Sequence, residues 1–99
     1  MEIVKSQDSG KITFTITGRL DTNTAPEFQP VLLAALNEVK QVSLDFKELE
    51  YVSSAGLRVL LLGEKTAKAN SAALIIANPS EEIKEVFDMT GFSDILKIV

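Results

Sequence analysis

Ninety-nine residues, 45% apolar and 24% charged, describe one globular domain over residues 1–99, too short for two separate cores and too apolar for disorder. With no histidine and no cysteine, the chain has neither a Ser-His-Asp nor a Cys-His nucleophile pair, nor a disulfide. No metal, haem or other cofactor site is expected, and no catalysis. A net charge of −4 without a basic cluster predicts no nucleic-acid partner. No apolar run reaches the ~20 residues of a membrane span, and Met1 to Lys5 is not the start of a signal peptide, so a cytoplasmic protein without direct membrane insertion is expected.

In chain order, Glu2 to Ser6 reads as a short strand, and Asp8-Ser9-Gly10 supplies the turn of an antiparallel hairpin. Ile12 to Thr17 alternates without a break, placing Ile12, Phe14 and Ile16 on one face and three threonines on the other. Gly18 marks the end of that strand. Thr24, with Glu27 three residues on, reads as a capping box. A helix follows with Phe28, Val31, Leu32, Ala35, Leu36 and Val39 as its apolar stripe. Pro30 conflicts with it, so either the first turn is irregular or the regular helix begins near Pro30. Val42, Leu44 and Phe46 alternate with polar residues in a third strand.

From Ala55 to about Ala69 a second helix is expected, capped by Ser53 or Ser54, with Leu57, Leu60, Leu61 and Ala67 inward. Residues 72–77, Ala-Ala-Leu-Ile-Ile-Ala, suit a central strand covered on both faces. Asn78 as N-cap, Pro79 as first helical residue and Glu81 as its acid open a third helix with Ile83, Val86 and Phe87 inward. Gly91 ends it, and Asp94 to Val99 reads as a last strand. The order β-β-α-β-α-β-α-β predicts an α/β domain: a mixed sheet of about five strands with helices packed on it. Loops 18–24, 47–54 and 77–80 converge at the carboxyl ends of its strands, where ligands and partners usually meet such sheets.

The stretch Leu44 to Arg58 runs from a strand through a short loop into Ser53-Ser54-Ala55-Gly56-Leu57. Its serines lie beside the free N–H groups and positive dipole end of a helix start, a favourable place for a phosphate. On spacing alone, a plain N-cap serine and a closely packed glycine are the better-supported explanation, since serine is among the commonest N-caps. Three blocks, Gly18-Arg19-Leu20-Asp21, residues 44–62 and Ile83 to Gly91, resemble the STAS domain family in order and spacing, and specifically its bacterial anti-sigma factor antagonists. The resemblance covers essentially the whole chain.

That resemblance implies a STAS-like single domain and a regulatory role rather than catalysis. Ser54 matches the serine that a partner kinase phosphorylates, Gly56 and Leu57 match the family glycine and leucine, and Ser53 stands where the family usually has aspartate. Asp21, Thr22, Asn23, Ser53, Ser54, Gly56 and Arg58 are the implied partner-binding residues. The implied partners are an anti-sigma factor that is itself a serine kinase and a PP2C-type phosphatase. The unphosphorylated chain would bind the anti-sigma factor and release a sigma factor, and phosphate on Ser54 would end that binding. The alternative on the same fold is a STAS subunit of a membrane transport complex that docks on its ATPase.

Overall fold

The computed structural model describes residues 1–99. Its elements are β1 (Glu2–Asp8), β2 (Lys11–Leu20), α1 (Ala25–Glu38), β3 (Gln41–Asp45), β4 (Leu49–Val52), α2 (Ser54–Ala69), β5 (Ala73–Ala77), α3 (Glu81–Thr90), a 3-10 turn (Phe92–Asp94) and β6 (Lys97–Ile98). The hairpin turn has Ser9 at φ 49 and Gly10 at φ 77. Two left-handed residues in a row make the turn whose twist matches that of the flanking strands. β1 then pairs antiparallel with β2 from Asp8↔Lys11 to Glu2↔Thr17.

The sheet order is β1-β2-β3-β5-β6, with β4 beside β2 beyond the main path, and β2, β3, β5 and β6 run parallel. Right-handed crossovers that all step the same way along a sheet put every connecting helix on one face. The burial agrees. Ile12, Phe14, Val42, Leu44, Leu74 and Ile76 are almost wholly covered, while their neighbours Thr13, Ser43 and Ile75 on the other face are only half-buried. Phe14 meets Phe28 of α1 edge to face, with ring centroids 6.4 Å apart, joining sheet to helix at the centre of the core.

Several expectations are corrected. Gly18 does not end the second strand. At φ 102 it carries a register shift that re-aims the chain, and Arg19 and Leu20 go on to pair with β4. β4 replaces much of the loop expected at 47–54. Its burial, with Leu49 and Val52 inside and Glu50 and Tyr51 outside, has no strand period to read.

β5 lies inside the sheet between β3 and the two-residue β6, as expected of 72–77, although β3 is the middle strand. β5 is fully buried only at Leu74 and Ile76, because its second face meets no helix. The 3-10 turn at Phe92–Asp94 shortens the expected last strand to Lys97–Ile98. α3 is capped by Ser80, whose hydroxyl accepts from Ile83 N at 3.2 Å. Asn78, at φ 56, and Pro79 stay outside the helix. α1 runs unbroken through Pro30. The N–H this proline lacks would have met the carbonyl of Pro26 near the helix start, on the exposed side. Val31, expected in the core stripe, is 39% exposed.

Candidate functional site

Two segments meet at the carboxyl end of the sheet. Ser53 N donates to Leu20 O at 2.9 Å, stitching the start of α2 to the end of β2. Gly56 lets them approach: a Cβ there would stand 2.8 Å from Leu20 O and 3.1 Å from a methyl of Val52. The residue is needed for this closeness, since any side chain would push α2 off the strands. The turn after β2 and the first turn of α2 therefore form one surface. It brings together Asp21, Thr22 and Asn23 with Ser53, Ser54 and Arg58, over the buried Gly56.

Asp21 builds the turn. Its Oδ1 accepts from Asn23 N at 3.0 Å and from Thr24 N at 3.2 Å. Thr24 Oγ1 in turn accepts from Asp21 N at 2.9 Å and donates to Arg19 O at 2.8 Å. Asp21, not Thr24, thus satisfies the free amides ahead of α1. The Thr24 hydroxyl makes no cap bond to the helix, because it is turned back to β2. Desolvation pushes the Asp21 carboxyl up, but the amides of Thr24 and Asn23, the Thr24 hydroxyl and the charge of Arg19 outweigh it and hold the group below its ordinary value. Arg19 Nε lies 3.6 Å from Asp21 Oδ2, and its guanidinium sits 4.2 Å above the ring of Tyr51. This stacked Arg19–Tyr51 pair is a part of the surface that the sequence reading missed. Its signal would have been a strand at 49–52, which alone puts Tyr51 beside Arg19.

The two serines have different tasks. Ser53 is the N-cap: extended at φ −90 and ψ 175, its hydroxyl accepts from Gly56 N at 3.3 Å. Ser54 is the first helical residue and is exposed. Its hydroxyl takes part in none of the chain's side-chain hydrogen bonds, so of the two cap candidates the structure selects Ser53. Arg58, one turn after Ser54 on the same helix face, is exposed as well. Leu57 and Leu60 are buried, whereas Leu61 is only half-buried and Leu62 is 37% exposed. No three acidic side chains gather closely enough to hold a metal ion.

A model of the STAS domain matches residues 2–99. This chain belongs to the STAS domain family. Among its STAS relatives, the anti-sigma-B factor antagonist of Listeria monocytogenes is 29% identical over 98 residues, a match spanning 96% of this chain and 84% of that protein. The anti-sigma-B factor antagonist of Bacillus subtilis is 29% identical over 92 residues, spanning 93% of this chain and 84% of its own. The anti-sigma factor antagonist SpoIIAA shares the fold at 17% identity in its unphosphorylated form, with a TM-score of 0.79 over 99% of this chain and 87% of that one. Its phosphorylated form matches with a TM-score of 0.77 at 18% identity, over 99% and 91%. The family read from the three sequence blocks and the α/β sheet read from the element order are both borne out. As a STAS domain, the chain presents its paired serines at the start of α2, next to the turn that Asp21 organises.

Proposed function

We propose that this chain is an anti-sigma factor antagonist: a cytoplasmic binding module whose hold on an anti-sigma factor is controlled by phosphate on Ser54. The observation that carries this reading is the division between the serines. Ser53 is committed to the cap of α2, and Ser54 offers a free, exposed hydroxyl in the same turn. A kinase reaches Ser54 without breaking any bond that holds the fold. The names of the STAS relatives support the anti-sigma assignment over the transport-complex alternative.

In the unphosphorylated state Ser54, Arg58 and the Asp21–Asn23 turn form the surface that meets the anti-sigma factor. That partner is the serine kinase, and a PP2C-type phosphatase reverses its action. A hydroxyl in an interface costs little to desolvate, whereas a phosphate brings about −1.5 to −2 charges that must be paired or stripped of water. The chain performs no chemistry itself. Incubation with ATP and the anti-sigma factor kinase of the same host, followed by mapping of the modified residue, tests the reading. Phosphate is expected on Ser54 in the wild type and in Ser53→Ala, and none in Ser54→Ala. Ser54→Asp, with one charge, is expected to weaken binding in part. Incorporation that survives Ser54→Ala and vanishes in Ser53→Ala would reverse the assignment, and none in any form would favour the transport-complex alternative.

A further inference from the structure

Between α1 and α2 lies an open groove of about 730 Å³. At one end the helices are pinched together, where a Cβ on Gly63 would come within 2.7 Å of Leu32. At the other end the groove opens between Thr22 and Ala55, each next to a residue of the surface just described. The α2 wall is the stripe Arg58, Leu61, Leu62 and Lys65 at i, i+3, i+4 and i+7, with Ala55 and Val59 beside it. The α1 wall presents Pro26, Gln29 and Pro30 at i, i+3 and i+4. Two such stripes facing one cleft are the geometry in which a third helix packs.

Its charge is also distinctive. The net charge of the chain is −4, yet the groove is lined by Arg58 and Lys65 and by no acidic residue. Neither cation is held in an ion pair within the chain, so both are available to a partner. Seven residues of helix set the two cations roughly 10 Å apart, with Leu61 and Leu62 between them. The groove is open along its length, which does not suit a small ligand that must be enclosed.

We infer that the α1–α2 groove receives an amphipathic helix of the anti-sigma factor, apolar at its centre and carrying carboxylates about two turns apart that meet Arg58 and Lys65. The inference rests on the function proposed above and extends its footprint. A stable interface buries ~800 Å² per partner, and the groove, which shares Thr22 and Arg58 with the Ser54 surface, continues that surface without a break. It also ties the groove to the switch. A phosphate on Ser54 stands one turn before Arg58 and draws that guanidinium to itself, removing one of the two cations from the helix's binding site.

The test measures binding of the same host's anti-sigma factor by titration calorimetry, using wild type, Lys65→Glu, Leu62→Asp and Ser54→Asp. Circular dichroism first establishes that each variant is folded, as expected for changes at exposed positions. Lys65→Glu and Leu62→Asp are each expected to weaken binding by about tenfold or more, and the loss for Lys65→Glu to shrink as salt is raised. Amides of Ala25, residues 27–29 and residues 58–65 are expected to gain hydrogen-exchange protection in the complex. If both groove variants bind like wild type while Ser54→Asp does not, the groove inference is overturned and the proposed function stands. Wild type that neither binds the anti-sigma factor nor accepts phosphate overturns both. Groove variants that abolish self-association of this chain but leave anti-sigma binding unchanged assign the groove to a second copy, and the inference fails.

Discussion

Gly56→Ala is the substitution that most directly probes how the site is held. In an ordinary helix the change to alanine gains about 0.5–1 kcal/mol, through the conformational freedom that glycine loses on folding. Here the new Cβ would lie 2.8 Å from Leu20 O, 2.9 Å from Leu20 Cγ and 3.1 Å from Val52 Cγ1. The nearest of these is a backbone carbonyl in β2, and Ser53 N already donates to it, so it cannot step aside. Overpacking of this kind costs about 1–3 kcal/mol, more than the propensity gain. A net loss of about 1–2 kcal/mol is expected, which for a domain of this size lowers Tm by about 5–15 °C.

Thermal unfolding followed by circular dichroism measures the loss, and calorimetric binding to the anti-sigma factor should weaken with it as α2 lifts its serines away from the Asp21 turn. Gly63→Ala is the internal control. There the close atoms are Leu32 Cδ2 at 2.7 Å and Leu74 Cδ2 at 3.1 Å, the ends of side chains that can rotate, so its loss should be smaller. A Tm for Gly56→Ala equal to or above that of wild type, or a larger loss for Gly63→Ala, would refute the argument.

Ser53→Ala removes the cap of α2 and should cost about 1 kcal/mol in urea or thermal unfolding, while Ser54→Ala, which breaks no bond, should stay within about 0.5 kcal/mol of wild type. Phosphate on Ser54 should leave stability unchanged or raise it by about 0.3–1 kcal/mol, because it sits at the positive end of α2; a fall in Tm on phosphorylation would show that the modification acts through the fold. Asp21 has a folded-state pKa below that of the unfolded chain. Its stabilisation is therefore fully present above the ordinary carboxylate value of ~3.9 and is lost as pH falls through the depressed one. Asp21→Asn should flatten this acid limb of the stability–pH curve, and a limb of undiminished slope would assign it to other groups.

The parts of the fold that local chemistry dictates were legible from the sequence. Asp8-Ser9-Gly10 allows left-handed residues in succession, and the alternation from Ile12 to Thr17 leaves one choice of buried face, so hairpin and register follow. Where two residues offer the same chemistry, the sequence could not choose. Asn78 and Ser80 are both good caps, and the geometry selects Ser80; Ser53 and Ser54 are equally competent, and contact with Leu20 selects Ser53. The Gly18 bulge was legible as a glycine but not as a bend, since its purpose depends on β4. That strand has no periodic signal because its two ends are buried and its middle is not. The site inherits this gap. Asp21 and Ser54 could be named by resemblance, but the Arg19–Tyr51 stack requires knowing that 49–52 pairs with the end of β2.

The same separation explains why the groove was invisible in a run as apolar as Leu57 to Leu62. Turned by 100° per residue, the run divides between two destinations. Leu57 and Leu60 enter the core, Val59 is buried at the floor of the cleft, and Leu61 and Leu62 line it beside Arg58 and Lys65. A helix with only one apolar obligation would have carried polar residues at 61 and 62. α2 therefore has three faces: one holds the sheet, one exposes Ser54, the proposed phosphorylation site, and one leaves leucines partly uncovered between Arg58 and Lys65. Because Arg58 lies on both the second and third faces, the phosphate proposed on Ser54 would alter the charge of the third without moving the first. Control of binding by that route would act through charge and require no change of fold.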